Sequence, residues 1–123
     1  MARETRIEWY DNGTKASEAM YLDGVLHGES RDWFEDGAPM FEGMYYNGKR
    51  HGTFFEFYEN GQIRSQGNFV DDQQHGLWRI WWANGQLADE SFFVFGKQKG
   101  YGRQWSQDGT ETTPESSRNA ETH

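Results

Sequence analysis

Residues 45–63 read YYNGKRHGTFFEFYENGQI, a stretch of rings between two glycine-marked reversals. Asn-Gly between alternating apolar runs is the strongest short-range hairpin signal, because type I′ turns need positive φ at both central residues. The segment between the reversals is six or seven residues long and aromatic, which is strand length and strand composition. Working outward, Phe57 belongs to a row spaced by 24 residues without an insertion: Trp9, Trp33, Phe57, Trp81 and Trp105. Four residues after each stands Gly13, Gly37, Gly61, Gly85 or Gly109, always preceded by Asn or Asp. A second reversal recurs at Gly24, Gly48, Asp72 and Gly96, followed by His27-Gly28, His51-Gly52, His75-Gly76 and Lys99-Gly100. Self-similarity at a fixed period of this length marks a repeat architecture.

The predicted fold is therefore all-β: an elongated single-layer antiparallel meander of 24-residue β-hairpin repeats. About nine strands are expected, near 5–10, 16–22, 29–34, 40–46, 53–58, 64–70, 77–82, 88–94 and 101–106. The repeat domain spans 1–109, with units near 9–32, 33–56, 57–80 and 81–104 and a half unit at 105–109. Residues 110–123, TETTPESSRNAETH, are polar and ring-free and read as a flexible tail.

Composition agrees with a folded sheet of unusual make-up. Only 34% of the 123 residues are hydrophobic, yet 17% are Phe, Trp or Tyr, so large rings must do most of the burying. The net charge is −8 and the acids concentrate before residue 48, which argues against nucleic acid or an anionic membrane as the ligand. There is no cysteine, which excludes disulfides and thiolate chemistry. The N-terminus lacks an apolar leader, and a cytoplasmic location is expected.

These turns and spacings resemble the MORN repeat, in the bacterial variant form of YwqK-type antitoxin-like proteins with ENG and NGKxHG turns. The resemblance runs from residue 9 to residue 109. It implies a single-layer sheet used as a scaffold or interaction surface, with some members linked to membranes or to neutralising a toxin. Two positions depart from the pattern: Asp71-Asp72-Gln73-Gln74 replaces the NGK turn, and Lys99 takes a histidine place.

Catalysis and metal binding are not expected. One unit advances two strands, roughly 9.6 Å, so His27, His51 and His75 cannot share one zinc ion, whose ligands lie about 2 Å from it. They read as turn-stabilising. The same pitch separates Glu18, Glu42 and Glu90, which read as a solvated acidic row, and no nucleophile or phosphate motif appears. No cofactor follows from the sequence.

The evenly filled Trp row reads as rings stacking from unit to unit. Ala19, Gly43, Gly67 and Ser91 read as small sites that leave room for neighbouring rings. The irregular RIWW segment stands apart, because Trp, Tyr and Arg dominate binding hot spots. The expected partner-binding residues are Tyr58, Trp78, Arg79, Trp81, Trp82 and Arg103. The expected function is a protein-binding module of antitoxin- or immunity-like type. Alternatives are a small-ligand or nucleotide-sequestering binder, with Arg79 or Arg103 meeting an anionic group, and a membrane-apposed scaffold. Self-association through a sheet face or edge is a further expectation.

Overall fold

The computed structural model describes residues 2–113. The strands are β1 (Arg3–Trp9), β2 (Lys15–Leu22), β3 (Val25–Trp33), β4 (Pro39–Tyr46), β5 (Lys49–Arg50), β6 (Gly52–Phe57), β7 (Ile63–Val70), β8 (Gln73–Gln74), β9 (Gly76–Trp81), β10 (Leu87–Val94) and β11 (Lys97–Gln104). They form one open sheet in the order β1-β2-β3-β4-β6-β7-β9-β10-β11, with β5 on β4 and β8 on β7. Every pairing is antiparallel, and no helix occurs among the described residues. The nine-strand meander is thus present. The two short pieces arise where a break at His51 or His75 splits a long strand.

The turn chemistry differs from expectation. At the Asn-Gly and Asp-Gly loops only the glycine has positive φ, near 90° in every copy. The Tyr58 N–H donates to the Gln62 carbonyl (2.8 Å) and the Gly61 N–H to the Tyr58 carbonyl (3.0 Å). These are three-residue loops closed by a left-handed glycine, not type I′ turns. Asn60 stabilises its loop by accepting the Gln62 N–H at 2.9 Å, as Asn12, Asp36, Asn84 and Asp108 do in theirs. Positive φ at both central residues occurs instead at the second reversal, in Asp23-Gly24, Asn47-Gly48, Asp71-Asp72 and Phe95-Gly96. The tighter turn there lets β3 begin at Val25, four residues before its expected start.

Side-chain ties join consecutive units at the loop end. Asn12, Asn60 and Asn84 donate from Nδ2 to the carbonyls of Glu35, Ala83 and Gln107. Tyr10 and Tyr58 donate their hydroxyls to the carbonyls of Trp33 and Trp81, and Trp82 donates from Nε1 to that of Trp105. At the junction between the second and third units Phe34 and Asp36 occupy these positions, and neither carries a donor there.

At the other end, the turn-stabilising reading of the histidines has a concrete form. His27 Nδ1 accepts the Asn47 N–H (3.2 Å) and His75 Nδ1 accepts the Phe95 N–H (3.1 Å), so each ties its hairpin to the next turn. In the departing third unit Asp72 does this work: its Oδ1 accepts both the Arg50 N–H and Arg50 Nε. Those donors hold the Asp72 carboxyl below its ordinary range, the backbone bond first.

Side chains alternate across a strand, and the registers define two faces. Gly43, Gly67, Phe54 and Trp78 share one, called the ring face. A Cβ on Gly43 would stand 2.6 Å from the Phe54 ring, and one on Gly67 1.9 Å from the Trp78 ring. Two small residues thus let two large rings lie against the sheet. Phe54 (5% exposed) and Phe69 (8%) form the core. Edge-on contacts run from Phe41 and Tyr45 to Phe54, on to Phe69 and then to Trp78, with centroids 4.9–5.8 Å apart.

The Trp9, Trp33, Phe57, Trp81, Trp105 row lies on the opposite face and is not that core. No ring contact joins its members among the described residues. Lys15 Nζ stands between two of them, 5.9 Å from the Trp9 ring and 5.5 Å from that of Trp33. Trp9 is 61% exposed. The row fills a position beside each loop, where a strand irregularity sets it, and unit-to-unit stacking happens on the other face.

The two edges differ. Every residue of β1 is exposed and four of seven are charged, a device that blunts an open edge. Beyond β11 the chain turns at Gly109, and Glu111 bridges Trp105. The Thr112 N–H then donates to the Gln104 carbonyl (2.7 Å), and the Gln104 N–H to Thr113 Oγ1 (2.8 Å). Thr113 is 3% exposed. The first residues of the expected tail thus lie along the last strand, and 114–123 fall outside the described residues.

Candidate functional site

A cleft of about 330 Å3 opens on the ring face between β4, β6, β7 and β9. Its aromatic wall is Phe41, Tyr45, Phe54, Phe69 and Trp78; Arg50, Glu56, Ser65 and Gln74 complete it. Trp78 Nε1 donates to the Asn68 carbonyl (3.1 Å), which fixes that ring and leaves its face as wall. Arg50 lies over the Phe69 ring at 4.2 Å and points its Nε to Asp72, so its charge is already answered. Ser65 Oγ donates to Glu56 Oε1 (3.0 Å). Burial raises the Tyr45 hydroxyl above its usual range, with Arg50 opposing.

Acids flank the wall. Phe41 has Asp32 as its register partner on β3 and Glu56 on β6. Asp32 is half-buried, and the loss of water, with Glu8 adding repulsion, holds its proton above the ordinary carboxylate range. Among the described residues neither Asp32 nor Glu56 forms an ion pair.

The opposite, charged face is built otherwise. In register across it run Glu18, Arg31, Glu42, Phe55, Gln66, Arg79, Glu90 and Arg103. The expected acidic row is therefore interleaved with arginines. Lys15 pairs with Glu18 (2.7 Å), Arg31 with Glu29 (3.2 Å) and Arg79 with Glu90 (2.9 Å). Its hollows are smaller, about 100 Å3 beside Arg31 and Glu42 and about 230 Å3 beside Gln66 and Arg79.

The six residues singled out from sequence divide between the faces. Trp78 lines the cleft. Tyr58 and Trp82 sit at the loop end and spend their polar groups on the next unit's backbone. Arg79, Trp81 and Arg103 belong to the charged face, where Arg79 is held by Glu90 and Arg103 by Glu111, the latter at 3.2 Å. Phe41, Tyr45, Phe54, Phe69, Arg50 and Glu56 were not singled out. Their signal is the pair of glycines at 43 and 67, which marks where rings settle.

Among the described residues no group of three or more metal-ligating side chains stands together, and no helix is long and apolar enough to cross a membrane. An open single-layer sheet of repeated hairpins, with a ring-walled cleft on one face, defines the class: a β-hairpin repeat protein. The family model of the MORN repeat variant matches residues 50–71 and 74–94. These two stretches, which carry β6, β7, β9 and β10, are similar to MORN-variant repeats, and the 24-residue hairpin period of the chain continues to either side of them. No curated protein matches the chain in sequence.

Proposed function

We propose that the protein is a non-catalytic repeat module that binds a protein partner through its ring face, with the cleft between Phe41, Phe54 and Trp78 at the centre of contact. The observation that carries this reading is the cleft itself: five rings on one side of a single-layer sheet, with no second layer of the described chain over them. Rings fixed by packing lose little freedom when a partner covers them, which is why aromatic anchors dominate hot spots. Of the six expected contact residues, Trp78 is the one this reading places at the centre. An antitoxin- or immunity-like role fits such a module, since it works by covering another protein's surface.

A nucleotide-like ligand met by Arg79 or Arg103 is less favoured, because both arginines stand on the face away from the cleft and pair with acids. The acids flanking the cleft likewise disfavour an anionic membrane.

Photo-crosslinking in the source cell tests the reading. Ile80 on the ring face and Leu77 on the charged face are similarly exposed, 44% and 41%. A photoreactive residue at 80 is expected to capture a discrete protein and one at 77 none. Capture at 77 alone would reverse the assignment.

A further inference from the structure

The two acids beside Phe41 differ from Glu18 and Glu90 on the charged face, and the difference bears on what the cleft accepts. On the charged face Glu18 and Glu90 each hold a basic side chain. On the ring face Asp32 and Glu56 stand on either side of Phe41 without one among the described residues. Three arginines of the chain are engaged with other groups. Arg50 is held by Asp72 at the turn end of the cleft, Arg64 lies over the Tyr58 ring at 5.9 Å, and Arg6 lies over Tyr21 with its Nε on Glu4. Glu8, which shares Ser17 as a register partner with Asp32, adds a further negative charge to this side.

A cation over Phe41 would meet the negative face of the ring and a carboxylate from each neighbouring strand at once. Ring and carboxylates attract the same sign of charge, and each contribution grows as water is excluded. An apolar side chain beside that cation would fill the cleft between Phe54 and Trp78. The two requirements together describe a short stretch of protein, not an ion or a lipid headgroup.

We infer that the cleft docks a cationic segment of the partner protein, with an aromatic or aliphatic side chain between Phe54 and Trp78 and a lysine or arginine over Phe41 between Asp32 and Glu56. This rests on the ring-face reading above and names the chemistry of its partner. The acid-rich N-terminal part of the chain steers such a segment toward the site.

The test is an NMR titration of the full isotope-labelled chain with three peptides of equal length in glycine-serine flanks, carrying Lys-Phe-Lys, Glu-Phe-Glu or Lys-Gly-Lys. Lys-Phe-Lys is expected to shift the resonances of Phe41, Phe54 and Trp78 and to bind at least tenfold more tightly than either of the others. Asp32→Asn combined with Glu56→Gln is expected to abolish the preference over Glu-Phe-Glu while leaving the remaining spectrum in place. Equal binding of Glu-Phe-Glu at the cleft would overturn the inference and leave the ring-face reading standing. Shifts confined to Arg79 and Glu90, or none at millimolar peptide, would also overturn it. Crosslinking at Ile80 decides the ring-face reading separately.

Discussion

Phe54 and Phe55 are adjacent on β6, yet the first is 5% exposed and belongs to the core while the second lies half-buried among charged side chains. One step along a strand reverses the face, and here it separates two ways of stabilising a sheet one layer thick. The ring face settles large rings over glycines and, among the described residues, leaves Asp32 and Glu56 beside its cleft without a basic partner. The charged face alternates acid and base across strands and sets its regularly spaced row of rings beside the loops. Rings on both faces are thus not equally buried; the small residue across the strand decides which ring is core.

The contrast breaks most visibly at Phe54 itself. Truncation there leaves a cavity among Phe41, Tyr45 and Phe69, and Phe54→Ala is expected to cost about 3 to 4 kcal/mol in urea unfolding, against about 1 for Phe55→Ala. Equal costs would mean that the faces are not distinct. Gly67→Ala comes next, because its Cβ would enter the Trp78 ring. A loss of about 2 to 3 kcal/mol, with a changed tryptophan near-ultraviolet dichroism signal, is expected.

The paired charges should matter far less. Arg79 and Glu90 pair on a partly solvated surface, so a double-mutant cycle should return about 0.5 kcal/mol or less, fading in high salt. Asp32 gives the smallest effect and the opposite sign. Its folded proton affinity is raised, so ionisation works against the fold as pH rises through the carboxylate range, and that cost is absent in acid. Asp32→Asn is therefore expected to raise the melting midpoint slightly at neutral pH and to make no difference in acid. A lower midpoint would show that Asp32 has a partner in the folded chain.

Much of the fold was legible because the period is strict: Trp9 to Trp105 and their glycines give the unit, the strand count and the antiparallel order. The turn types were not, since Asn-Gly serves both a two-residue turn with two positive φ values and a three-residue loop that needs one. Asn60-Gly61 and Asn47-Gly48 look alike in sequence and differ in the length of the loop they close. The Trp row misled for a related reason. A position filled in every copy reports a local requirement beside the loop, whereas the core depends on a cross-strand match, Phe54 over Gly43 or Trp78 over Gly67, that the first unit lacks. Phe41 between Asp32 and Glu56 was illegible because its two registers depend on irregularities, one at the loop end of β3 and β4 and one at the His51 break between β5 and β6, which displace the pairing.

The ring positions can be read directly from proton shifts. In a NOESY spectrum of the labelled chain, the Gly43 and Gly67 α-protons should move upfield under the Phe54 and Trp78 rings and show contacts to them. Ordinary glycine shifts, with ring contacts running instead between Trp33, Phe57 and Trp81, would place the core on the other face and contradict the account.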